Sequence, residues 1–250
     1  MENNCFFGTV LRTLGYAMVS VGARVSNATN GRADGGYTGL YGARGRASSE
    51  VLPDTCILIY SCSSHMVNIV TVDGKRYMVD VGFGSNGPTH PLPLVDGEVS
   101  VGIAPEELRL LWTSIAQNTD PTQKLWVFQH RNDSQSPWQD AYCFTDLEFL
   151  PVDYEVMNFR ISQSRTSWFT YMIVCVKTVL EVLDEEQEVV GTVMLVGNEV
   201  KRRVKGKTEL LVTCKTEEER VQALEKWFDI HLTYEERKGI MGMVTELTAT

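Results

Sequence analysis

A histidine and an aspartate fifteen positions apart, His65 and Asp80, flank the strongest hairpin signal in the chain: HMVNIVTV, an Asp73-Gly74 pair, then KRYMVDV. Asp-Gly favours a two-residue turn whose twist matches that of the strands it joins. With Asp73 and Gly74 as the turn, Val72 pairs with Lys75, which sets Asp80 opposite Val67 and Gly82 opposite His65. His65, Val67 and Asp80 then share one face, and His65 and Asp80 are diagonal neighbours about 7–8 Å apart at the backbone, within side-chain reach. A carboxylate so placed fixes the tautomer of an imidazole and stabilises its protonated form, the supporting half of a nucleophile-His-Asp arrangement. The same residues admit plainer readings: a structural or solvent-facing hairpin histidine, and an aspartate that serves a turn beside Gly82 and Gly84.

Several elements must position this pair. Phe6, Phe7, Val10, Leu11 and Leu14 recur at helical spacing, with Asn3 or Asn4 available as a cap and Gly15 as a stop, which predicts a helix over residues 3–14. Ser26 to Glu50 holds six glycines and three arginines with little apolar periodicity and reads as a long irregular insertion between strands. Strands are predicted at CILIY (Cys56 to Tyr60), through the hairpin, and at Leu125 to His130, Trp138 to Phe144, Trp168 to Leu183, Val189 to Val196 and Glu209 to Thr213. They suggest an antiparallel sheet that curls into a barrel, followed by a further meander. Thr216 to Glu219 is a capping box ahead of Val221, Leu224, Trp227 and Phe228, which predicts a docked C-terminal helix.

Composition narrows the class. The 250 residues carry 23 basic and 32 acidic side chains, a net charge of −9 that argues against a nucleic-acid partner. The longest apolar run, Tyr171 to Val176, is far short of the ~20 residues of a membrane span, so no membrane partner is expected. The six cysteines Cys5, Cys56, Cys62, Cys143, Cys175 and Cys214 are scattered without C-x-x-C spacing and read as reduced thiols of a cytoplasmic protein. His90, His130 and His231 lack acidic or cysteine partners at ligand spacing, so no metal is expected. The basic run Lys201, Arg202, Arg203, Lys205 and Lys207 is read as a solvated hairpin face before a phosphate or nuclear-localisation site.

The stretch HMVNIVTVDGKRYMVDVGFG (His65 to Gly84), followed by PLPL (Pro91 to Leu94), resembles the arylamine N-acetyltransferases, with their histidine, an Asn three positions on and an Asp-x-Gly-Phe-Gly signature. The opening MENNCFFGTVLRTLGY is similar to the segment that directly follows the family's R-G-G-x-C motif, nearest in wording to the filamentous-fungal branch. Asp153, Asn158, Ser164, Thr166 and Phe169 resemble its D-x-x-x-x-N and S-P-T-S-x-F stretch, and LEKWFDIHL its terminal helix.

The resemblance implies an α+β, cysteine-protease-like fold: residues 1–18 as a remnant of an N-terminal helical domain, 19–165 as an antiparallel β-barrel domain carrying the insertion 26–50, and 166–250 as an α/β lid. It implies a ping-pong reaction of xenobiotic-metabolism type. An acetyl or other short-chain acyl group passes from coenzyme A to a cysteine, then to an arylamine, arylhydroxylamine or hydrazine. Carried over by position, His65 is the base, Asp80 orients it, Phe83 lines the acyl and amine pocket, and Thr166 contacts coenzyme A, with Arg165 in place of the usual proline.

One departure stands at the front, because the family's nucleophilic cysteine immediately precedes the residue that aligns with Met1. The chain is therefore expected to be truncated just after it. Cys5 is about 7.5 Å of helical rise away from that position and faces elsewhere. Cys62, Cys56, Cys143, Cys175 and Cys214 all read most simply as packed small hydrophobes, with Cys62 as the minor alternative for a substitute nucleophile. The competing readings are a truncated relative or pseudoenzyme that retains coenzyme A binding, and an amide or peptide hydrolase on the same plan.

Overall fold

A computed structural model describes residues 1–26, 36–37, 43–44, 62–163, 167–183 and 186–248. The insertion over 26–50 and the expected strand at Cys56 to Tyr60 therefore lie almost wholly outside the described residues. The chain divides into two compact units, Met1–Gly102 with Glu106–Ser167, and Ile103–Pro105 with Trp168–Thr250.

The first unit opens with helix α1 (Glu2–Thr13), which ends at Gly15 in the left-handed region, φ 87°. Strand β1 (Ala17–Val25) follows at once and becomes the centre of a nine-stranded antiparallel sheet, paired with β3 (Cys62–Val72) on one side and β9 (Gln139–Glu148) on the other. Outward from β3 run β4 (Lys75–Val79) and β5 (Leu92–Pro93), and the two-residue β2 (Ala43–Arg44) pairs with the start of β3. Outward from β9 run β8 (Leu125–Arg131), β7 (Glu107–Thr113) and β6 (Val99–Val101). β5 approaches β7, so the sheet curls into a nearly closed barrel. Its inner residues, among them Val67, Leu92, Leu108, Phe128, Tyr142 and Phe144, form one buried core.

The β3–β4 hairpin has the register that its turn dictates. Val72 pairs with Lys75 and Asn68 with Val79, and Asp73 and Gly74 both take positive φ, 49° and 73°, as a two-residue turn of this type requires.

Helix α1 departs from its sequence pattern. Neither Asn3 nor Asn4 is its cap: the N-cap is Met1, and Asn4 lies inside the helix, fully buried at 0% exposure, beside buried Gly8. The apolar stripe is split: Phe6 is 73% and Leu14 68% exposed, whereas Phe7, Val10 and Leu11 are half-buried. Hydrophobic spacing placed the helix correctly, but its fully buried positions are Asn4 and Gly8, which share one face with half-buried Phe7 and Leu11. Helix α2 (Pro151–Gln163) was not anticipated, although its signals were present: Pro151 opens it where a missing N–H is harmless, and the Asp153 carboxylate accepts from Leu150 N at 2.8 Å.

The second unit is a four-stranded antiparallel meander, β10 (Val174–Leu183), β11 (Glu186–Val196), β12 (Glu199–Val204) and β13 (Lys207–Thr213). The strand expected from Trp168 starts late, because Trp168–Tyr171 is a four-residue helix, α3; aromatic β-propensity misleads where local context decides. Helix α4 (Glu217–Phe228) packs Ala223 and Phe228 on the meander's core, capped by the Thr216 side chain on Glu219 N, and the short α5 (Tyr234–Lys238) follows. Three members of the basic run are paired with carboxylates: Lys201 with Glu199, Arg202 with Glu209 and Lys205 with Glu181. Among the described residues no helix is long and apolar enough to cross a membrane.

Candidate active site

His65 lies on β3 opposite Ala23 of β1, and Asp80 follows directly on β4. Both side chains are buried, and His65 Nε2 lies 2.7 Å from Asp80 Oδ2. Diagonal placement on one face of the hairpin produces this contact, as the register requires.

Asp80 receives three further donors. Tyr142 Oη, on β9, donates to Oδ2 at 2.8 Å; Asn4 Nδ2, on α1, donates to Oδ1 at 2.7 Å; and Gly82 N donates to Oδ1 at 2.9 Å. Burial alone would push the Asp80 carboxyl up, but the His65 charge and the hydrogen bonds from His65, Asn4 and Gly82 N outweigh it and hold the pKa below the ordinary value. Tyr142 moves the opposite way: burial, then the Asp80 charge and hydrogen bond, keep its phenol protonated well above the usual tyrosine range. With Asp80 ionised, Nε2–H is the donor across the 2.7 Å contact, so in the neutral imidazole Nδ1 is the nitrogen without a proton.

An aromatic wall completes the site. Phe83 stands edge-on to His65 at 5.2 Å between ring centroids and to Tyr142 at 4.8 Å, and Tyr142 lies 5.2 Å from His65. Of the residues named from the sequence, His65, Asp80 and Phe83 thus come together, while Thr166 and Arg165 lie outside the described residues.

Sequence reasoning missed Asn4 as a site residue, having read it as a cap, and it gave Tyr142 no role. Alternation along β9 could have found the tyrosine, since its burial pattern puts Tyr142 among the inward core residues. A network ties Asn4 to the sheet: Asn68 Nδ2 donates to Asn4 O at 2.9 Å, Ser20 Oγ to Asn68 Oδ1 at 2.8 Å, and Arg12 Nη2 to Ser20 Oγ at 3.2 Å.

The cysteines sort by environment. Cys143 adjoins Tyr142 but packs with Tyr37, Ile115, Leu125 and Val127, and burial pushes its thiol up to about 12, unsuited to a thiolate nucleophile. Cys5 is exposed. Cys62 opens β3, and its side chain lies outside the described residues, as does Cys56. The first turn of α1 reaches the pair directly, and the Met1 α-amino group, pushed down by burial, feels the charges of Glu2 and Asp80.

Two of the other three histidines have acidic neighbours: His130 Nδ1 lies 3.5 Å from Glu106, and His231 bonds Glu225 and Asp229 at 3.2 and 3.1 Å. Folding supplies these partners. Among the described residues no group of three or more such side chains is arranged to hold a metal ion.

The chain matches the family model for N-acetyltransferase over residues 50–237. It is 35% identical over 248 residues to the N-malonyltransferase FDB2 of Fusarium pseudograminearum (strain CS3096), covering 96% of this chain and 67% of that protein. Its identity to the N-malonyltransferase FDB2 of Gibberella moniliformis is 36% over 248 residues, covering 96% and 66%. The chain spans about two thirds of the length of these curated relatives. Among solved structures, the arylamine N-acetyltransferase from Mycobacterium abscessus superposes with a TM-score of 0.66 at 20% identity, over 98% of this chain and 72% of that one. The Mycobacterium marinum enzyme in complex with CoA gives 0.63 at 25%, with the same coverage of 98% and 72%.

Proposed function

The chain belongs to the arylamine N-acetyltransferase family, and from that premise we propose that it is an acyl-CoA-dependent N-acyltransferase using an acyl-cysteine intermediate. The observation that carries this reading is the His65–Asp80 pair, with Asp80 held ionised by four donors so that His65 presents Nδ1 as a base. In the first half-reaction Nδ1 takes the thiol proton, the thiolate attacks the acyl-CoA thioester, and coenzyme A leaves as its thiol once protonated by His65. In the second, an amine attacks the acyl-cysteine, the amide leaves, and the cysteine thiol is restored.

The relatives' names favour malonyl over acetyl as the acyl group, since those at 35% and 36% identity are N-malonyltransferases. The Phe83, His65 and Tyr142 rings support an arylamine or arylhydroxylamine acceptor, with a hydrazine as the further class the family takes and Phe83 against the acyl and amine groups. Thr166 is proposed as a coenzyme A contact from its place in the motif. For the nucleophile, the proposed position is a cysteine joined directly ahead of Met1, at the N-terminal end of α1, where Asn4 already meets Asp80.

Labelled malonyl-CoA and acetyl-CoA test this on two forms, the 250 residues alone and the same chain preceded by Arg-Gly-Gly-Xaa-Cys. The extended form is expected to acquire a thioester label, preferentially malonyl, and to pass it to a simple arylamine. Activity of the short form that Cys62→Ser abolishes would move the nucleophile to Cys62. No label in either form, with coenzyme A still bound, would establish the non-catalytic relative instead.

A further inference from the structure

Asn4 is fully buried in the first turn of α1, where Phe6 is exposed and Phe7 only half-buried, which calls for a reason. Its carboxamide uses every polar atom. Nδ2 donates to Met66 O at 2.5 Å and to Asp80 Oδ1 at 2.7 Å, while Oδ1 accepts from Val81 N at 2.8 Å. The amide orientation is fixed by these partners, since a flip would set its oxygen against a carbonyl and a carboxylate. Met66 follows His65 and Val81 follows Asp80, so one side chain braces the backbone next to both members of the pair and the carboxylate itself. Gly82 belongs to the same fit, because a Cβ there would lie 3.0 Å from Asn4 Nδ2.

We infer that Asn4 is a positioning residue: its carboxamide fixes Asp80, and through Asp80 the His65 ring, relative to the first turn of α1, so that helix and dyad behave as one rigid unit. The two donors that share Asp80 Oδ1 hold that oxygen away from His65 and leave Oδ2 to face Nε2. Without Asn4 the carboxylate keeps its bonds to Gly82 N and Tyr142 Oη but loses the donor that ties it to α1. The preference of the ring for the Nε2-protonated tautomer is then weakened. The consequence for turnover rests on the acyl-transfer reading; the geometry does not.

The rival is that Asn4 merely docks α1. Nitrogen-15 correlation spectra of the histidine ring at pH 8, with the His65 signals assigned through His65→Gln, separate the two without any turnover. The wild type is expected to show His65 as one tautomer, protonated at Nε2. Asn4→Ala should move its ring nitrogens toward the averaged shifts of a tautomer mixture. Asn68→Ala, which removes the donor to Asn4 O and touches neither His65 nor Asp80, should lower the melting temperature and leave the tautomer unchanged. Asn4→Asp keeps the size and the acceptor for Val81 N but sets a second carboxylate against Asp80, and should make the His65 pattern pH-dependent as the two carboxylates share a proton. It is read in place of Asn4→Ala if that variant does not fold. An unchanged His65 tautomer in a folded Asn4 variant, with only the melting temperature reduced, overturns the inference. Absence of acyl transfer in every form would remove the proposed function and leave the tautomer result standing.

Discussion

Tyr142 Oη donates at 2.8 Å to Asp80 Oδ2, the same oxygen that faces His65 Nε2 at 2.7 Å. One carboxylate oxygen thus serves a phenol and an imidazole, and the phenol stays a donor because burial and the Asp80 charge keep it protonated. Tyr142→Phe retains the ring packing against His65 and Phe83 while removing this donor. A loss of about 1.5–3 kcal/mol is expected from denaturant unfolding, the range for a hydrogen bond to a charged group. In an alkaline absorbance titration the folded variant should match the wild type up to pH ~10, because Tyr142 contributes no phenolate there.

Asp80 gives the fold an acid dependence. Its folded pKa lies below the ordinary value, so its contribution is fully present above the unfolded-state value of about 3.9 and is lost as pH falls through the lower folded value. Asp80→Asn should erase that part of the stability-pH curve and cost on the order of 3 kcal/mol at pH 7. In a form competent for acyl transfer it should reduce turnover about 10⁴-fold, as tautomer loss does in a serine protease. A wild-type acid unfolding curve identical to that of the variant would refute the assignment.

Two glycines of the same loop should respond differently. Gly82→Ala places a methyl 3.0 Å from Asn4 Nδ2 and should cost about 1–3 kcal/mol while disturbing the His65 ring signals. Gly84 has φ 95° with open space around it, so Gly84→Ala costs stability through backbone strain, about 1 kcal/mol or more, and leaves those signals in place. Thermal melts paired with histidine spectra compare the two.

Helix α1 offers a test of which of its positions meet the barrel. Phe6→Ser, at a position 73% exposed, should change stability by no more than about 0.5 kcal/mol. Asn4→Leu, which an amphipathic reading would favour, strands Met66 O, Val81 N and one side of Asp80, and should cost on the order of 3 kcal/mol or more. Urea unfolding of both variants measures the contrast.

The pairing of His65 with Asp80 was legible in the sequence because it depends on local rules alone, a turn that accepts positive φ at Asp73 and Gly74 and the two-residue period of a strand. The barrel strands Leu125 to His130 and Trp138 to Phe144 and the capped helix after Thr216 were legible for the same reason. Tertiary structure alone decided what surrounds the pair. Asn4 stands 76 positions and Tyr142 62 positions from Asp80, and each arrives through an element whose docking no local pattern specifies. Hydrophobic spacing located α1 but did not reveal that its most buried positions are Asn4 and Gly8, because the partners of Asn4 at Met66, Asp80 and Val81 lie on a hairpin far along the chain. The partner of His130 likewise emerges only when strand pairing brings Glu106 beside it. Sequence separation sets this boundary: hydrogen bonds within one hairpin follow from register, whereas those that join a helix, a hairpin and a distant strand follow from the packing of all three.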